Sequence, residues 1–238
     1  MNGHTRKLLP AVLRSAAITC VLAPWTVPAG AQERAMIDHP MTARLDVRVP
    51  MRDGVHLSAD VYRPRDDARH PTMFELTPYN NNNDGSVEQA WHFVQRGYAV
   101  VMADVRGRYD SEGEFDPYRS DGPDGSDLMN WIAGQSWSNG KVASMGGSYT
   151  GHNQWMMAKE NNPHHAAIVS YVAPADEFQD GARYNGVPKL DLMYTWMMGM
   201  YGHVNQSIRG WNWPVIMWQL PVDRLDSEIG RASCRERV

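Results

Sequence analysis

The chain predicts an α/β fold, a mostly parallel sheet led by an antiparallel hairpin. Three observations carry the prediction. Short apolar runs alternate with amphipathic segments in the order β-α-β-α-β-α-β between residues 72 and 172, and such short connections imply right-handed crossovers between parallel strands. The runs Tyr98 to Ala103 and Ala166 to Val172 are continuously apolar, as strands buried on both faces of a parallel sheet are. Ahead of them, Leu45 to Val49 and Val55 to Tyr62 alternate apolar with polar across Arg52-Asp53-Gly54, the pattern of two half-buried strands joined by a turn.

Taken in order, Pro64 ends the hairpin, and TMFELT (72–77) is a short strand closed by Pro78. A polar loop runs from Tyr79 to Gly85. Val87 to Arg96 places Val87, Ala90, Trp91 and Val94 at helical spacing, with Ser86 expected as N-cap and Gly97 as the C′ residue. The strand Tyr98 to Ala103 follows. Beyond the polar stretch Asp104 to Ser120, Leu128 to Ala133 forms the body of a second helix. Asp121, Asp124 and Asp127 fall at or before its N-terminus. Their spacing of three lacks the alternating ligands of a calcium loop, so capping and the helix dipole account for them better. Val142 to Met145 reads as a strand, Tyr149 to Lys159 as a helix and Ala166 to Val172 as a buried strand. From Asp176 the character changes. Leu190 to Tyr201 and Trp211 to Leu220 together hold four of the nine Trp and five of the fifteen Met. They read as helices packed over the sheet, with the apolar wall of a substrate pocket as the alternative.

Both ends look foreign to this fold. Arg6, Lys7 and Arg14 precede an apolar stretch from Ser15 to Trp25, and Ala29-Gly30-Ala31 supplies a small-x-small cleavage pattern. This is the grammar of a secretory leader too short to span a bilayer, with a mature start expected at Gln32, export to the periplasm or medium and no stable membrane anchor. Glu228 to Val238 (EIGRASCRERV) carries no apolar period and reads as a translated sequencing adapter, so the natural sequence is expected to be interrupted near Ser227. The only cysteines, Cys20 and Cys234, lie in these two ends. Disulfides, a Cys nucleophile and Cys-ligated zinc are therefore excluded for residues 32–227. A net charge of −4 and a pI near 6.1 argue against a nucleic-acid partner. The His residues show no H-x-x-x-H pairing, and no metal is expected.

The chemistry centres on Ser148. KVASMGGSYTG (141–151) is a strand, a glycine-flanked serine and a helix start, the arrangement of a nucleophile elbow. Gly146 and Gly147 leave room for the tight turn, and the helix N-terminus favours a developing oxyanion. The bland alternative is a serine capping an ordinary helix. Asp104 and Arg106 sit at a strand C-terminus, and a buried structural pairing for either one is the first reading, ahead of catalysis.

Five segments, MRDGVHLSADVYRP (51–64), TPYN (77–80), RGYAVVMADVRGRYDSEGEF (96–115), DGPDGSDLMNWIAGQSWSNGKV (121–142) and GGSYTG (146–151), resemble the Xaa-Pro dipeptidyl-peptidase-like or cocaine-esterase-like (CocE/NonD) α/β-hydrolases. Between the leader (1–31) and the foreign tail (228–238), the resemblance implies an α/β-hydrolase fold comprising the N-terminal core (32–180) and the start of a helical cap (181–227). It implies a serine hydrolase of small-molecule esters or amides that works through an acyl-enzyme and needs no cofactor. Ser148 matches the nucleophile, the Tyr149 backbone N–H one oxyanion donor and the Tyr79 hydroxyl the second. The family's general-base His and its Asp follow the cap and are expected beyond this sequence, leaving an inactive fragment. Xaa-Pro dipeptidyl-peptidase activity is the alternative, and a non-catalytic binding domain that keeps the elbow is the rival from another class. Among local substitutes, His152 is expected to point away, His164 and His165 to be solvated, and Asp176 to be a weak candidate for the acid.

Overall fold

The computed structural model describes residues 40–218. The leader, the last eleven residues and the end of the second aromatic segment lie outside them. Six strands form one sheet: β1 (Met41–Pro50), β2 (His56–Pro64), β3 (His70–Thr77), β4 (Ala99–Asp104), β5 (Ser138–Gly147) and β6 (His165–Tyr171), in the order β1-β2-β4-β3-β5-β6. β1 pairs antiparallel with β2 and β2 antiparallel with β4, whereas β4-β3, β3-β5 and β5-β6 are parallel. The expected parallel sheet with a leading hairpin is therefore the observed one.

Alternation of side chains along the strands builds two cores. On one face Leu57, Ala59, Phe74, Leu76, Val101, Ala103 and Val142 pack with Leu128, Met129 and Ile132 of α2 (Asp121–Ala133) and Met157 of α3 (Tyr149–Lys159). On the other, Met73, Val100, Met102 and Met145 pack with Ala90 and Val94 of α1 (Asp84–Val94). β4 is buried along its whole length because it receives helices on both faces.

Local expectations for three elements are corrected. α1 starts at Asp84, and its N-cap is Asn83 rather than Ser86: the Asn83 amide oxygen accepts from the Ser86 N–H at 3.0 Å. Asn is as good a cap as Ser, and only the turn geometry chose between them. Gly97 takes a left-handed conformation (φ 78°), but the helix ends at Val94 with Gln95 as C-cap, so Gly97 lies one residue beyond the expected C′ position. α2 begins at Asp121, more than a turn before Leu128, and the three aspartates do not cap it. Asp121 and Asp124 lie in its first turn, Asp124 pairs with Arg106, and Asp127 pairs with Arg52. Finally, β6 is not buried on both faces: Val169 and Tyr171 are exposed, because β6 ends the sheet among the described residues. After β6 come a two-stranded ribbon, β7 (Arg183–Tyr184) with β8 (Val187–Pro188), then α4 (Leu190–Gly199) and the short α5 (Trp213–Met217).

Candidate active site

The parallel pairing of β3 with β5 brings their C-terminal ends side by side, about 5 Å apart across the ladder. β5 ends at Gly147 and β3 at Thr77, so Ser148 and Tyr79 both emerge on this edge, the functional edge of a parallel sheet.

Ser148 adopts φ 57° and ψ −121°, a conformation that L-residues rarely take, between β5 and the first turn of α3. Its backbone N–H is shared between the carbonyls of Tyr171 and Val172, each at 3.2 Å, which anchors the bend to the end of β6. Its side chain is exposed and makes no capping hydrogen bond to the helix it precedes. The capping role considered for this serine is thus not the one it plays. The glycines are sterically required. A Cβ on Gly146 would lie 2.3 Å from the Thr150 hydroxyl oxygen and 2.5 Å from the Thr150 carbonyl carbon. One on Gly147 would lie 2.4 Å from the Tyr171 ring, and one on Gly151 2.8 Å from the Tyr171 carbonyl oxygen. Glycines at 146 and 151 let the helix start fold back against β5 and the end of β6.

Tyr149 is buried and its side chain locks the elbow in place. Its ring stacks on Tyr118 (4.1 Å between centroids) and on Trp196 of α4 (6.0 Å), and its hydroxyl accepts from the Tyr118 N–H at 2.9 Å. The same hydroxyl hydrogen-bonds the carboxyl of Asp121, which burial pushes up to about 7. With its side chain held, the Tyr149 N–H stands at the open N-terminus of α3.

Tyr79 is half-buried in the loop after β3. Its ring meets that of Tyr149 edge-on at 6.3 Å, and its oxygen accepts a long hydrogen bond (3.4 Å) from the Trp196 indole. A phenol whose oxygen accepts from an indole keeps its own proton free to donate. The loop is tied down on either side of Tyr79. The Arg108 Nε donates to the Pro78 carbonyl at 3.1 Å, and the Asp104 carboxylate accepts from the Asn81 N–H at 2.9 Å. Asp104 is fully buried, and desolvation pushes its carboxyl up to about 8. Glu75, earlier on β3, is pushed up to about 7 by burial, opposed by a hydrogen bond with the Thr150 hydroxyl.

The other sequence candidates lie apart from this arrangement. Nδ1 of His152 faces the Pro174 carbonyl at 3.3 Å and Glu177 at 3.5 Å, and its ring meets Tyr118 edge-on. His164 is half-buried, with Nδ1 3.0 Å from the Gly140 carbonyl. His165 belongs to β6, where Nε2 lies 2.6 Å from the buried Ser144 hydroxyl, and burial lowers its pKa. Neither is simply solvated, because β6 draws this loop against β5. The exposed Asp176 carboxylate accepts from the Phe178 N–H and closes a local turn. Of Asp104 and Arg106, it is Arg106 that forms the expected structural pair, with the buried Asp124. Arg106 bridges Asp124 (2.7 Å) and Asp53 (2.7 Å), tying the hairpin turn to α2. Arg108, Asn81, Glu75 and the indole of Trp196 are site neighbours that no sequence pattern singled out. Their roles depend on contacts between segments far apart in the chain, and the crowded TPYN and RGR stretches were the only hint.

Residues 53–222 match the family model described as X-Pro dipeptidyl-peptidase (S15 family), well over half of the chain. The chain belongs to this family. S15 membership agrees with the relatives. Cocaine esterase of Rhodococcus sp. (strain MB1 Bresler) is 38% identical over 148 residues, covering 60% of this chain and 26% of that protein. The solved CocE/NonD family hydrolase of Staphylococcus aureus is 28% identical with a TM-score of 0.62, covering 68% of this chain and 33% of that one. An α-amino acid ester hydrolase structure shares the fold, at 24% identity and a TM-score of 0.63, over 73% of this chain and 32% of its own. The S15 sheet seen here is that of the α/β hydrolases of CocE/NonD type. The chain spans about a quarter of the length of the curated relative and about a third of the solved ones.

Proposed function

We propose that these residues form the nucleophile and oxyanion-hole half of a serine hydrolase that cleaves small-molecule esters or amides. Ser148 attacks the carbonyl carbon, and its proton passes to a general base as the C–O or C–N bond to the leaving group breaks. The acyl-enzyme is then opened by water. The Tyr149 N–H and the Tyr79 hydroxyl donate to the oxygen on which negative charge builds. The single observation that carries this reading is the bend at Ser148, which exposes a hydroxyl at a helix N-terminus and withholds it from capping. The acyl-transfer steps call for no cofactor. The base and its acid are proposed to be a His–Asp pair downstream of the cap, since His152, His164 and His165 face other partners. Likewise proposed is export, with cleavage after Ala31; a mature N-terminus at Gln32 in an exporting host would support it, and Met1 on the mature protein would refute it.

Esters are the preferred substrates, on the strength of the 38% identity to a cocaine esterase. The family description favours X-Pro peptide bonds as the second reading. Hydrolysis of p-nitrophenyl butyrate against an Xaa-Pro-p-nitroanilide separates them. The 238-residue chain is expected to turn over neither and to resist a fluorophosphonate probe, whereas a longer product carrying the proposed His–Asp pair should hydrolyse the ester and take the probe, and lose both in Ser148→Ala. Turnover that survives Ser148→Ala ends the proposal. Tyr79→Phe in the active product should cost about 10²-fold in kcat, the usual loss for one oxyanion donor.

A further inference from the structure

Arg108 has no exposed surface, and among the described residues no carboxylate shares a hydrogen bond with it. Its guanidinium instead donates to four main-chain or amide oxygens. Nε reaches the Pro78 carbonyl (3.1 Å), Nη1 the carbonyls of Met200 (2.8 Å) and Gly202 (2.5 Å), and Nη2 the Asn205 side chain (2.5 Å). Its Cζ also lies 5.3 Å from the ring centroids of both Tyr109 and Phe115. The next residue extends the grip: the Tyr109 N–H donates to the His203 carbonyl at 2.7 Å, and its hydroxyl accepts from the Asn205 N–H at 3.2 Å. Gly107 (φ 71°) makes the turn possible, because a Cβ there would lie 2.2 Å from the Phe115 nitrogen.

A buried cation is costly unless its donors are satisfied, and the carboxyl of Asp104 favours this one through space without sharing a hydrogen bond with it. With a long fifth contact from Nη2 to the Met200 sulfur (3.9 Å), the five-donor fork is satisfied by two segments far apart in sequence, the residue directly before Tyr79 and the stretch after α4. A planar guanidinium can hold several carbonyls in fixed directions, which an ammonium cannot. We propose that Arg108 is a positioning residue that couples the two, so that the placement of the Tyr79 hydroxyl depends on residues 200–205 being seated. The inference rests on the reading of Tyr79 as an oxyanion donor.

Hydrogen exchange on the full chain tests the coupling directly. In Arg108→Ala, amides of 79–83 and 199–206 should exchange about ten-fold faster, together, while those of β4 and β5 keep their protection. Arg108→Lys keeps the charge but not the fork and should speed both segments about three-fold. If the alanine variant does not fold, the lysine variant decides. Wild-type protection of either segment in the folded variants, or one opening without the other, overturns the proposal. In a longer product carrying the proposed His–Asp pair, Arg108→Lys should lower kcat on p-nitrophenyl butyrate about ten-fold with KM nearly unchanged. Adding Tyr79→Phe should then cost about two-fold further rather than its full effect, since the donor is already misplaced. Full additivity refutes positioning. Turnover that persists in Ser148→Ala refutes the serine-hydrolase reading instead, and leaves the exchange experiment to judge Arg108.

Discussion

The main chain at Ser148 sits in a region of φ/ψ space that costs an L-residue about 1–3 kcal/mol. It stays there because its surroundings leave no alternative: the shared N–H to Tyr171 and Val172 on one side, and Thr150 packed against Gly146 on the other. The two glycines before the serine should therefore respond differently to substitution. In Gly146→Ala the new methyl meets the Thr150 carbonyl carbon and the root of its side chain, which cannot move without moving α3, so thermal unfolding should show a loss of about 2–3 kcal/mol. In Gly147→Ala the nearest clash is with the Tyr171 ring. A loss of similar size is expected there, but pairing it with Tyr171→Ala should recover part of it. Equal behaviour of the two variants in the Tyr171→Ala background would contradict this account of the elbow. The glycine pair itself was legible in the sequence. That one glycine answers to backbone and the other to an aromatic ring was not, because the ring arrives from β6.

Among elements, α2 and α1 show how contacts outrank local signals. α2 begins at Asp121 although Gly122, Pro123 and Gly125 weaken any local preference for helix there. The glycines are needed for packing: a Cβ at Gly122 would meet the Met156 carbonyl oxygen at 2.9 Å, and one at Gly125 the Met157 sulfur at 2.4 Å. The first turn is also held by Arg106, whose partner Asp124 has a side chain only 5% exposed. Arg106→Met would strand that carboxylate, and chemical denaturation should register a loss of about 2–3 kcal/mol, reduced in the double variant with Asp124→Asn. For α1, Asn83→Ala should cost about 1 kcal/mol and Ser86→Ala much less, reversing the ranking that the sequence suggests. Denaturation midpoints that place Ser86→Ala as the more damaging change would show that the cap is assigned wrongly.

The whole molecule carries several carboxyls whose burial raises their pKa, with Asp104 pushed up to about 8 and Asp121 and Glu75 to about 7. Between about pH 4, where unfolded carboxylates lose their protons, and these folded values, the native state holds protons that the unfolded chain has released. Stability should therefore fall as pH rises through this window. The urea midpoint is expected to be lower at pH 8.5 than at pH 5, with the difference reduced in Asp104→Asn and in Asp121→Asn; a midpoint that rises with pH contradicts the assignment. No sequence pattern marks these carboxyls as buried. By itself the sequence determined the order and type of the elements from Leu45 to Val172, the glycine-framed bend at Ser148 and the family, because apolar period and turn chemistry are properties of neighbouring residues. Only the tertiary structure decided which caps and ion pairs form, why β6 stays exposed, and that Arg108 joins the Tyr79 loop to residues 200–205. Those outcomes depend on which distant segments the sheet order brings within hydrogen-bonding reach.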